Sequence, residues 1–128
     1  MYYQKDWFLR QIETLIAKIA QAVFNKDTVK YEIEDVTNVS ETDILYARLM
    51  QLLGELNICY AEDLLFENIE PDNRKYLLLA LDFYSAVNSF TDEELREANF
   101  TRQEIDDGLY EILNIFNISL DEIAENKK

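Results

Sequence analysis

The stretch FTDEELREANFTRQEI, residues 90–105, writes one short phrase twice. Each copy runs apolar residue, threonine, two residues, glutamate, apolar residue: Phe90, Thr91, Glu94, Leu95, then Phe100, Thr101, Glu104, Ile105. The threonine hydroxyl can accept from the amide three residues on. The glutamate at that third position can accept in return from the threonine amide, which makes a capping box. The flanking apolar pair has hydrophobic-staple spacing and fixes how the chain enters the helix. Two starts this close predict a short helix over 92–98 and a longer one over 102–117.

Working outward, the phrase recurs as VSETDI at 39–44, with Asp43 as a shorter acid, and as ISLDEI at 118–123, where Ser119 and Glu122 form the box. A fifth start falls in IEPDNRKY, because Pro71 suits a first helical turn whose amide would be unpaired anyway. The predicted helices are about 5–25, 41–56, 58–69, 71–88, 92–98, 102–117 and 120–126. Gly54 and Asn57 are weak helix enders that place the break between 41–56 and 58–69, with one kinked helix over 41–69 as the alternative. KYLLLALDFYSAV is apolar on nearly every side, which places the 71–88 helix at the centre. In 102–117 the stripe Ile105, Leu109, Ile112, Leu113 and Phe116 suits one neighbour.

Composition agrees. The 128 residues are 48% apolar and include only 2 glycines and 1 proline, too few for the many turns of a sheet fold. The expected class is therefore all-α: antiparallel helical hairpins in a bundle, stacked in a tetratricopeptide-like manner by architecture alone, with an N-terminal amphipathic helix. One domain covers 1–128, divided into that helix at 1–25, a linker at 26–39 and a helical-hairpin body at 40–128. Within the linker, Val29, Tyr31 and Ile33 alternate with charged residues, as either a short extended piece or a frayed helical end.

The first helix sets Phe8, Ile12, Leu15, Ile16, Ile19 and Val23 on one arc, opposite Arg10, Gln11, Thr14, Lys18 and Gln21. Trp7 falls with the polar set. With Tyr2 and Tyr3 it forms an aromatic group ahead of the arc, read either as a clamp on the chain's own body or as an intermolecular anchor. The candidate interface residues are therefore Tyr2, Tyr3, Trp7, Phe8, Ile12, Ile16, Ile19 and Val23.

Net charge is −14, and it is uneven: residues 1–30 carry five basic and three acidic groups, whereas 31–128 carry seven and twenty-three. Such a surface repels phosphate, so nucleic-acid partners are excluded and anionic lipid is disfavoured. Histidine is absent, which removes the commonest general base and most zinc and haem sites. Two unclustered glycines supply no phosphate-cradling loop. The lone Cys59 lies in LNICYAEDLL beside acids, and the expectation is a buried structural thiol with a raised pKa. Asp107 and Glu111, four apart, and the acids of TDEE could do acid–base work or hold a hard cation, but a solvated face and dipole complementation explain them as well. No catalytic residue, cofactor or metal is expected.

YYQKDWFLRQIE at 2–13, followed by KDTVKYEIED at 26–35, resembles the start of a family of small, acidic, uncharacterised proteins from low-GC Gram-positive bacteria. That resemblance implies origin and fold, with no functional residues to carry over.

The expectation is thus a non-enzymatic, cytoplasmic helical module for protein interaction or scaffolding. Its partner would be another protein or itself, including a homodimer through 1–25. The alternative is a peripheral membrane protein using the first helix, weakened by that helix's charge of only about +2. A carboxylate-only enzyme and a mimic of nucleic acid are further classes. In either docking case the first helix must bury its arc on an acidic body, its own or a second copy's.

Overall fold

The computed structural model describes residues 2–119, with side chains from residue 7 onward. Among these residues there are six helices and no strand: α1 Tyr2–Phe24, α2 Glu41–Gly54, α3 Ile58–Asn68, α4 Arg74–Asn88, α5 Asp92–Glu97 and α6 Arg102–Ile115. The expected helix at 120–126 and the Ser119–Glu122 box lie outside the described residues.

Three capping boxes close as read. Glu104 N–H donates to Thr101 Oγ1 at 3.1 Å, and Thr101 N–H donates to Glu104 Oε1 at 2.9 Å. Thr91 with Glu94 and Ser40 with Asp43 repeat the exchange. The staples Phe90/Leu95 and Phe100/Ile105 face the core, while Val39 and Ile44 stay exposed.

The Pro71 start is corrected. Residues 71 and 72 form a turn, and α4 begins after Asn73, whose side chain accepts from Lys75 N–H at 3.0 Å. A side-chain acceptor satisfies a free amide, which proline's fixed φ cannot do.

The 41–69 region is two helices. Leu56 adopts a left-handed conformation (φ 59°), and Asn57 N–H returns to Leu52 O at 2.9 Å, a Schellman closure. Asn99 and Asn117 end α5 and α6 in the same way. Asparagine tolerates this conformation better than other non-glycine residues, so the chain stops its helices with almost no glycine.

α4 is the centre, packed against α1, α2 and α6. Leu77, Leu79, Leu81, Phe83 and Tyr84 are all fully buried there. α2 and α3 form a hairpin, and α6 packs on both α4 and α1, two neighbours rather than the expected one. α1 thus lies beside α4 and α6 and not as the first rung of a sequential stack. The arrangement is a bundle around one helix. Its buried Ile12, Ile16 and Ile19 contribute about 1.5–3 kcal/mol each.

Residues 26–39 are no slack linker. After a bend at 27–28, residues 29–33 form an extended strap with Val29, Tyr31 and Ile33 turned inward, and a turn follows in which Asn38 N–H donates to Asp35 O at 3.1 Å. Tyr31 is 3% exposed and stacks on Tyr46 with ring centroids 4.8 Å apart. Its N–H donates to Asp82 Oδ2 at 2.7 Å and its hydroxyl to Asp43 Oδ1 at 2.6 Å. One residue pins the strap to both α2 and α4. Burial, then the charge of Asp82, pushes the neighbouring Tyr46 hydroxyl up to about 12.

Candidate functional site

At the start of α1, Phe8 faces α5 and the first turn of α6 across a recess of about 310 Å³. Phe8, Leu95 and Phe100 make its apolar walls, and Asp92, Arg96, Thr101 and Arg102 complete it. The double capping phrase builds this corner. It turns the chain twice within ten residues and drives Leu95 and Phe100 inward, where each is 3% exposed.

A buried arginine holds the corner rigid. Arg102 donates through Nε to Asn88 Oδ1 at 3.1 Å, and through Nη2 to the carbonyls of Asn88 and Phe90 at 3.1 and 2.7 Å. Its Nη1 pairs with Asp92. Asn88 in turn donates to Leu9 O at 3.1 Å, so α6, α4 and α1 are tied in series. Sequence reasoning missed Arg102, although a signal existed: a cation in a helix's first turn opposes the dipole and needs a partner such as Asp92. Among the described residues no buried side-chain nitrogen or oxygen lacks a hydrogen bond.

Trp7 stands beside this recess, 62% exposed, with its ring centroid 6.5 Å from that of Phe8. Of the predicted interface residues, the structure divides the set. Ile12, Ile16 and Ile19 are core, Val23 and Phe8 are half-buried, and among those whose side chains are described Trp7 alone is openly exposed. The side chains of Tyr2 and Tyr3 lie outside the described residues.

A second groove, between α3 and α6, is acidic. Glu62, Asp63, Glu104, Asp107 and Glu111 line it with Phe66 and Gly108. At its floor Tyr84 Oη donates to Glu62 Oε2 at 2.6 Å. Burial raises the Glu62 pKa, Glu104 and Asp63 add to that, and the Tyr84 hydrogen bond offsets part of it. Among the described residues no three of His, Cys, Asp or Glu are disposed to hold a metal ion.

Cys59 corrects an expectation: it is exposed at the edge of α3, not buried. Its sulfur lies 3.7 Å from the Asn99 carbonyl oxygen. The pKa direction is as read, raised by partial burial and then by Glu104, Glu62 and Asp63. Apolar neighbours in sequence suggested burial; α3 turns its buried side at Ile58, Ala61 and Leu65 and leaves Cys59 outside that stripe.

Among the described residues no helix is long and apolar enough to cross a membrane. These elements define a small all-helical bundle with one aromatic-walled corner. The chain belongs to a family of unknown function, DUF6483, whose model matches residues 2–117. No curated protein and no solved structure matches it.

Proposed function

We propose that this protein is a non-catalytic interaction or scaffold module of the cytoplasm of a low-GC Gram-positive bacterium, and that it meets its partner where Trp7 borders the recess. The observation that carries this reading is the exposed Trp7 beside the Phe8, Leu95 and Phe100 walls. Indole is the side chain most concentrated at binding hot spots, and an apolar recess next to it supplies a seat for a partner's anchor. The single cysteine and the resemblance of the opening residues support the compartment and origin. A membrane role finds less support, since the α1 stripe that would enter lipid is already buried in the bundle.

A photoreactive phenylalanine derivative placed at position 7 of the full chain, irradiated in intact cells, tests the surface. A covalent adduct of one discrete mass is expected from position 7 and none from the same probe at Tyr60, an exposed aromatic of α3. Identical patterns from the two positions, or no adduct at all, would remove the reading.

A further inference from the structure

We infer that the strap is a cover held by a single latch, Tyr31, and that it opens as a unit while the helices on either side stay packed. Of residues 27–34, Tyr31 alone is fully buried. Val29 and Ile33 are half-buried, and Lys30, Glu32 and Glu34 are exposed. Among the described residues, the N–H bond to Asp82 and the hydroxyl bond to Asp43 are the only hydrogen bonds from 27–34 to the helices, and Tyr31 makes both.

The two ends of the segment close without it. α1 finishes on its own carbonyls, with Asn25 left-handed (φ 55°) and Lys26 N–H donating to Ala20 O at 3.4 Å. α2 begins on its own capping box between Ser40 and Asp43, and the turn before it closes on Asp35 through the N–H groups of Thr37 and Asn38. α1 and α2 each pack on α4 directly, so neither needs the strap to keep its seat. Local opening below the global transition is favoured where little apolar contact is given up and no helix is broken. A segment with one buried side chain, one main-chain bond to its surroundings and self-closed ends meets both conditions.

Opening bares a slot between α2 and α4 that is fitted to an extended chain. Tyr46 offers a ring to stack on, Asp82 an acceptor for a main-chain N–H, and Asp43 an acceptor for a hydroxyl. Tyr31 engages all three, so access to the slot is set by the strength of that one latch.

Hydrogen exchange of the full chain, read amide by amide by NMR at several urea concentrations below the unfolding transition, tests the cover. The Tyr31 amide should exchange at least about tenfold faster than the amides of Leu79 and Phe83 in α4, at a rate that barely rises with urea, because opening exposes little surface. The α4 amides should respond steeply, as global unfolding demands. A Tyr31 amide that shares the rate and urea dependence of α4 overturns the inference, since the strap would then leave only when the whole bundle unfolds. Tyr31→Ala gives a second check. An open form more stable than the unfolded chain cannot be unfolded by losing the latch, so this variant should keep the helical circular dichroism of wild type and a cooperative melt. Loss of the helical signal in Tyr31→Ala overturns the inference as well.

Discussion

The main-chain N–H of Tyr31 donates to the carboxylate of Asp82 at 2.7 Å, joining positions 51 residues apart. This bond turns a connecting segment into part of the core. The ring it anchors lies between Tyr46 and the Lys75 ammonium, whose nitrogen is 6.0 Å from the ring centroid.

Asp82→Leu should destabilise by about 1–3 kcal/mol, because the buried Tyr31 N–H loses its acceptor and Tyr46 loses its hydrogen-bond partner. Tyr31→Phe keeps that bond and loses the hydroxyl's hydrogen bond to Asp43, which should cost about 1 kcal/mol. Urea unfolding followed by circular dichroism ranks the two. A smaller loss for Asp82→Leu than for Tyr31→Phe would mean the strap is not latched at its backbone.

Gly108 exists to admit Tyr84. A Cβ there would land on the Tyr84 hydroxyl, with ring carbon Cζ 2.5 Å away. Alanine gains about 1 kcal/mol of helix propensity at an open site. Here Gly108→Ala should instead lose about 1–3 kcal/mol, since Tyr84 is fully buried and cannot step aside. Gly54, with nothing near its missing Cβ, is the control, and Gly54→Ala should stabilise. Thermal melts showing the same sign at both glycines would contradict this account.

Thr101→Ala removes the hydroxyl that caps α6 and should cost about 1 kcal/mol, whereas Thr28→Ala, on the exposed part of the strap, should be nearly neutral. Chemical denaturation measures both. Equal effects would show that the capping box contributes nothing beyond an ordinary surface residue.

Glu62 makes stability depend on pH in a direction opposite to most carboxylates. Its folded pKa is raised, by burial first, so the folded state holds this proton at a pH where the unfolded chain has lost it. The contribution is fully present below the unfolded carboxylate value and is lost as pH rises through the folded value. Glu62→Gln removes the ionisation while leaving an oxygen to accept from Tyr84. Melting temperatures from about pH 4 to about pH 7 should therefore show the variant gaining on wild type as pH rises. A constant difference across that range would mean Glu62 titrates normally.

Legibility followed the range of the interaction. Capping boxes couple residues three apart, so Ser40, Thr91 and Thr101 announced their helices in the sequence itself. The 3.6-residue period likewise exposed the buried stripe of α6 and the all-round apolar surface of α4. The stops were harder. Asn99 and Asn117 carry the left-handed turns expected of glycine, and Leu56 adopts one with no sequence signal, held there by the closure to Leu52. Cys59 is exposed despite its apolar neighbours, and the alternation of Val29, Tyr31 and Ile33 marks an extended piece without showing what it packs on, because both depend on which side of an element meets the bundle.

The sequence by itself determined an all-helical chain, where most of its helices begin, and that α4 must be central, because caps, periodicity and turn poverty are local physics. Only the tertiary structure decided that the strap is bolted to Asp82, that Arg102 ties three helices through Asn88, and that Trp7 stands exposed beside a recess built from residues nearly ninety positions further on. Those contacts join groups distant in the chain. Their partners exist only once α1, α4 and α6 have packed: periodicity marks the apolar side of a helix, and no local pattern of residues encodes which other helix that side will meet.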